Sequence, residues 1–148
     1  FIQHQLSEIG IDIAIEISTG ATFRDMVANS RLLFFRGSWI ADYPDSENYL
    51  ALFYSRNFSP GGPNYTHFSN PRYDRLYETA LNTMDPSRRQ NLYRQMNRMI
   101  IEHAPIVPLY YDQVVRFTHT HVKNLGSNPM NLLVLKHVKK TTNDTDSR

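Results

Sequence analysis

The sequence predicts an α/β fold, and three observations carry that prediction. Residues 11–17 read IDIAIEI, setting Ile11, Ile13, Ile15 and Ile17 against Asp12, Ala14 and Glu16, the period of a strand with one buried face. A second apolar run, RLLFFRGSW at 31–39, follows a segment with helical spacing. The resulting order of helix, strand, helix and strand suggests a parallel crossover. Two longer stretches then open on Asn70-Pro71 and Asp85-Pro86, pairs that supply a capping side chain and a proline at the first helical position.

The elements follow in chain order. Ile2, Leu6 and Ile9 are helically spaced, and Gly10 suits the end of that helix. Thr22 and Asp25 fit a capping box for a short helix carrying Phe23, Met26 and Val27. Pro44 disfavours helix at Tyr43, so a helix over SENYLALFYS would start afterwards, with Ser46 as its cap. Residues 55–68, SRNFSPGGPNYTHF, hold Pro60, Gly61, Gly62 and Pro63 and read as a surface loop. The next helix is expected to bury Tyr73, Leu76, Tyr77, Ala80 and Leu81. The one after it is expected to bury Leu92, Met96, Met99 and His103, with Tyr93 and Ile100 widening the stripe. Residues 104–119 are strand-like, but Pro105 and Pro108 confine them to a sheet edge or the approach to a strand. VVRFTH and LLVLKHV suggest further strands, and residues 140–148 are expected to form a disordered tail.

Composition narrows the function classes. The chain has 148 residues, enough for one domain with a substantial core, and its 16 basic and 14 acidic residues give a net charge of +2. That balance does not favour nucleic-acid binding. The absence of cysteine excludes disulfides and thiolate chemistry. No apolar run reaches the roughly 18–20 residues of a transmembrane helix, and the opening FIQHQLSEIG has no signal-peptide order. A chain starting at Phe1 is expected to be a processed or excised piece rather than a natural truncated reading frame.

Chemistry-bearing residues are sparse. Asp42 and Asp45 lie three apart in the turn after residues 31–39. They could be an acid–base pair, metal ligands, ligand contacts, or the polar parts of a strand-to-helix turn. His119 and His121 would share one side of a strand, yet they have no HExxH motif, cysteine or nearby third ligand. SPGGPN lacks the lysine of a phosphate loop, and no serine sits in a G-x-S-x-G elbow. No catalytic residue, cofactor or metal site is therefore expected. Trp39 either caps the core or walls a ligand site at the end of a strand.

Four segments carry a resemblance in a consistent order. They are QHQLSEIGIDIAIEI with FRDMV; FFRGSWIADYPDSENYLALFYS; NYTHFSNPRYDRLYETAL; and RRQNLYRQMNRMIIEHAPIVPLYY with the later LGSNPMNLL. Together they resemble the C-terminal portion of bacterial extracellular solute-binding proteins of the oligopeptide, dipeptide and nickel class that serve ABC importers. The second segment resembles the signature Trp-x-x-Asp-Tyr-x-Asp-x-x-x-(Phe/Tyr)-Leu and is the most specific. The resemblance covers nearly all of residues 1–139 and implies a fragment of a type II periplasmic-binding-protein-like, venus-flytrap fold, with 1–139 as part of the C-terminal lobe.

The implied function is non-enzymatic: binding of a peptide or small solute and its delivery to an ABC permease. The implied place is the periplasm or the outer face of the cytoplasmic membrane, with or without a lipid anchor. Carried over onto this sequence, Gly37 and Ser38 would offer main-chain groups to an extended ligand, and Trp39 and Tyr43 would line the cleft. Asp42 would pair with a peptide α-amine, while Asp45 would act as a local cap. Because the chain is much shorter than such a protein, it is expected to carry part of a cleft and to expose edges able to self-associate. Two other readings remain from the sequence: a peptide-sensing or surface interaction module of the same fold, and a hydrolase using Asp42 and Asp45.

Overall fold

Local capping chemistry sets the two longest helices of the chain, seen here in a computed structural model that describes residues 1–128 and 130–141. In order the helices are α1 (Ile2–Ser7), α2 (Gly20–Ala28), α3 (Glu47–Leu50), α4 (Pro71–Leu81) and α5 (Pro86–His103). Two 3₁₀ turns, Ala51–Phe53 and Ser55–Asn57, follow α3, and two short strands, β1 (Val122–Lys123) and β2 (Lys139–Lys140), come last. The architecture is mixed α/β, with its core among α3–α5 and the 3₁₀ turn Ala51–Phe53.

Asn70 Oδ1 accepts from the amides of Arg72 at 2.9 Å and Tyr73 at 3.3 Å, as its position before Pro71 predicts. Asp85 Oδ1 takes the amide of Arg88 at 2.6 Å ahead of α5. That helix ends where Ala104 turns left-handed, at φ 47°, before Pro105. The helices pack through Tyr73, Tyr77 and Ala80 of α4 and Met96, Met99 and Ile100 of α5, closed by Leu50 and Phe53. Leu76, Leu92 and Tyr93 pack against this core half-buried. Two stripe members are exposed instead: Leu81 at the last turn of α4, and His103, whose ring meets Phe68 edge to face, at the last turn of α5.

Tyrosine hydroxyls fasten this core to its surroundings. Tyr73 donates to the carbonyl of Leu50 at 2.7 Å, Tyr77 donates to Glu47, and Tyr54 donates to Glu78 at 2.6 Å while stacking on Tyr77. Burial pushes the phenols of Tyr73 and Tyr77 far above their ordinary pKa, helped at Tyr73 by the neighbouring Tyr77 and Asp74 and at Tyr77 by its bond to Glu47. Tyr93 is pushed up to about 12 by burial and by its hydrogen bond to Asp45. A phenol so raised keeps its proton after the unfolded chain, titrating at about 10, has released its own. Its contribution to stability is therefore full below about pH 10 and lost as pH rises toward 12. The midpoint of thermal unfolding is expected to fall across that window, and Tyr93→Phe should flatten the fall. A midpoint independent of pH from 9 to 12 would contradict this (roughly the window set by the ordinary tyrosine pKa).

Several expectations fail, chiefly in the strands. Residues 11–17 and 31–39 form no ladder among the described residues, so the parallel crossover is not present there. Ile11, Ile15, Ile17, Leu33 and Phe34 are exposed. Residues 104–119 and the LLVLKHV run are likewise unpaired, and the ladder forms instead between β1 and β2, antiparallel, with Val122 opposite Lys140. The physical reason is common to all of them. Alternating side chains specify a buried face, whereas a strand also needs a neighbour for its amides and carbonyls.

Helix starts are corrected too. Thr19, not Thr22, caps α2, with its Oγ1 accepting from the Thr22 amide at 3.4 Å. Ser46 has helical backbone and makes no cap bond; Asp45 Oδ1 receives the Glu47 amide at 2.9 Å. Residues 55–68 are not a simple surface loop, since Asn64 is wholly buried within them and Ser59 nearly so. Gly62 is required there, because a Cβ would lie 2.5 Å from the Asn57 carbonyl oxygen. Of the expected tail, Lys140 belongs to β2 and Thr141 donates to the His121 carbonyl, while residues 142–148 lie outside the described residues.

Candidate functional site

The turn between residues 39 and 48 is organised by a residue that the sequence reading passed over. Asn48 enters α3 and is 5% exposed. Its Oδ1 accepts from the Trp39 indole Nε1 at 2.7 Å and from the Asp42 backbone amide at 3.2 Å. Its Nδ2 donates to Asp42 Oδ2 at 3.4 Å. A buried amide with all these polar atoms paired is a fixed point. The only sequence signal for Asn48 was a polar residue one position after a helix start, which a solvated residue would give equally well.

The flanking acids are committed elsewhere. Asp45 Oδ2 lies 3.2 Å from Arg89 Nη2, and Asp45 Oδ1 also accepts the Tyr93 hydroxyl at 3.0 Å. With the Glu47 amide on the same carboxylate, Asp45 is a turn cap that also pins the turn to α5. Glu47 receives the hydroxyls of Tyr43 and Tyr77. The bond to Glu47, followed by burial, raises the Tyr43 pKa.

The residues singled out from sequence thus separate into two groups. Trp39 and Asp42 are brought together through Asn48, with Trp39 half-buried and Asp42 exposed. Trp39 is not among the residues packed against the core, which lies among α3–α5. Tyr43 is exposed beside them but turned by its hydroxyl toward Glu47. Gly37 and Ser38 are exposed on the irregular approach to the turn and make no hydrogen bond among the described residues. Among the described residues the carboxylates of Asp42 and Asp45 share no partner: one is held by the Asn48 side chain, the other by α5.

Metal chemistry has little to work with. Among the described residues no three His, Cys, Asp or Glu side chains are grouped to hold an ion. His119 and His121 do share a side, with ring centroids 5.2 Å apart, but without a third ligand. Among the described residues no helix is long and apolar enough to cross a membrane.

The chain is homologous, at low identity, to several solute- and oligopeptide-binding proteins, periplasmic by name in several cases. It is similar to the dipeptide-binding protein DppE of Bacillus subtilis, 28% identical over 140 residues, 94% of this chain and 25% of that protein. It is also similar to the glutathione-binding protein GsiB of Salmonella typhi, 30% identical over 131 residues, covering 84% of this chain and 25% of that one. A third relative is the probable deoxycholate-binding periplasmic protein YgiS of Escherichia coli, 26% identical over 114 residues, 77% of this chain and 21% of that protein. The chain therefore spans between 18% and 25% of the length of the curated relatives it matches. These relatives are named for binding and none of the three for catalysis. No family model matches the chain.

Proposed function

We propose that this chain supplies part of the ligand cleft of a peptide- or small-solute-binding component of an ABC importer, as a segment of the C-terminal lobe of a venus-flytrap protein. The function is binding without chemistry, followed by delivery to a permease, in the periplasm or at the outer face of the cytoplasmic membrane. The observation that carries the reading is the Asn48-anchored turn, which presents the Asp42 carboxylate to solvent beside the Trp39 ring. An exposed carboxylate fixed from behind suits a cationic amine. The unpaired backbone of Gly37 and Ser38 leading into it suits an extended ligand that pairs through its main chain, a mode indifferent to side-chain identity. The names of the relatives, which span dipeptide, glutathione and deoxycholate binding, leave the ligand class broad.

A hydrolase pairing Asp42 with Asp45 is disfavoured, because Asp45 is occupied by Arg89, Tyr93 and the Glu47 amide. Calorimetry with trialanine tests the amine role. Asp42→Asn keeps the side chain's shape and removes its charge, and it is expected to weaken binding about tenfold, the size of a modest charge-assisted contact. Equal affinity of the two proteins would remove Asp42 from the site.

A further inference from the structure

Asn48 is chemically specified for its place. The Trp39 indole and the Asp42 backbone amide can only donate, so both require the amide oxygen. The amide nitrogen is then left facing Asp42 Oδ2, which in its ionised form can only accept. A carboxamide meets all three demands at once. An aspartate would have no proton for Asp42, and a leucine would strand the indole and the backbone amide. The support is itself rigid: Asn48 is 5% exposed, and its neighbour Glu47 is bound by the hydroxyls of Tyr43 and Tyr77. Among the described residues the other carboxylate oxygen of Asp42 has no protein partner and is open to a ligand.

We infer that Asn48 is the positioning residue of this site, holding the Asp42 carboxylate and the Trp39 ring in one fixed relation and thereby setting the preference for a free amine over a blocked one. The inference rests on the amine-binding reading above, but its mechanical half is measurable without any ligand. Trp39 is the chain's sole tryptophan, so indole fluorescence reports that residue alone.

The test uses the 148-residue chain, with trialanine and N-acetyl-trialanine as probes. In Asn48→Leu, Trp39 emission is expected to move to longer wavelength. The ratio of affinities for the free and acetylated peptides should fall about tenfold, the effect of losing one oriented charge-assisted contact. Asn48→Gln, which retains the carboxamide, should restore part of both. A folded Asn48→Leu chain with unchanged emission and an unchanged ratio overturns the inference. Should Asn48→Leu fail to fold, the exposed substitution Asp42→Asn decides. It is expected to alter Trp39 emission through Asn48, since Asp42 and the indole are joined by hydrogen bonds only through that residue, and an unaltered spectrum counts against the linkage. If the wild-type chain binds both peptides equally, the amine-binding reading fails and with it the preference assigned to Asn48, while the emission arms still decide whether Asn48 holds Trp39.

Discussion

Replacing Tyr73 by alanine is expected to cost about 3–5 kcal/mol, the range for losing a large aromatic side chain from a packed core. Tyr73 has no solvent exposure, meets the rings of Phe53 and Phe68 edge to face, and donates to the Leu50 carbonyl at 2.7 Å. It thus joins α4 to α3, to the 3₁₀ turn and to the end of the 55–68 loop. Tyr73→Phe keeps the ring and leaves the Leu50 carbonyl without its donor, so it should cost about 1 kcal/mol. Against a total stability of about 5–15 kcal/mol for an ordinary domain, only the alanine variant should unfold much of the population. Urea midpoints read both. Equal midpoints for the two variants would mean that the ring is not the keystone of this core.

The second large effect is expected at Asn64, which is also wholly buried. Its Nδ2 donates to the carbonyls of Tyr54 at 3.1 Å and Phe68 at 3.0 Å. Its Oδ1 accepts from the Thr66 hydroxyl at 3.0 Å and the Phe68 amide at 3.3 Å. One side chain therefore closes the loop on itself and onto the Tyr54 turn. Asn64→Ala leaves the Phe68 carbonyl without its donor and the Tyr54 carbonyl with the Asn57 amide alone, and should cost about 2–4 kcal/mol. Asn64→Asp is nearly isosteric but turns both donors into acceptors aimed at carbonyl oxygens, so it should be at least as damaging. Hydrogen exchange of the amides of residues 57–68 would show the loop loosening in both. An Asp variant as stable as the parent would refute the assigned amide orientation.

Chain-local features were legible in the sequence, and partner-dependent ones were not. Asn70 and Asp85 could be read because capping acts over three residues and each precedes a proline. The buried faces of α4 and α5 were readable in the same way from Tyr73, Tyr77, Ala80, Met96, Met99 and Ile100. The exposure of Leu81 and His103 shows that such stripes end before the helix does. Residues 11–17 kept the alternation of a strand yet make no ladder among the described residues, since alternation describes one face and pairing requires another chain segment. Asn48 and Asn64 were invisible for a related reason. An asparagine in a loop or at a helix start looks the same in sequence whether its amide meets water or a set of buried partners. Asp45 was readable as a cap, but its bonds to Arg89 and Tyr93 depend on α5 packing against the turn.

The central claim is that the turn held by Asn48 receives a peptide amine at Asp42 beside Trp39. Because the chain has one tryptophan, its indole N–H gives one proton–nitrogen resonance, and that proton is bonded to the same Asn48 that holds Asp42. Titrating the labelled 148-residue chain with trialanine is expected to shift that resonance in a saturable way, with N-acetyl-trialanine shifting it far less. No shift with either peptide, or equal shifts with both, would contradict the account.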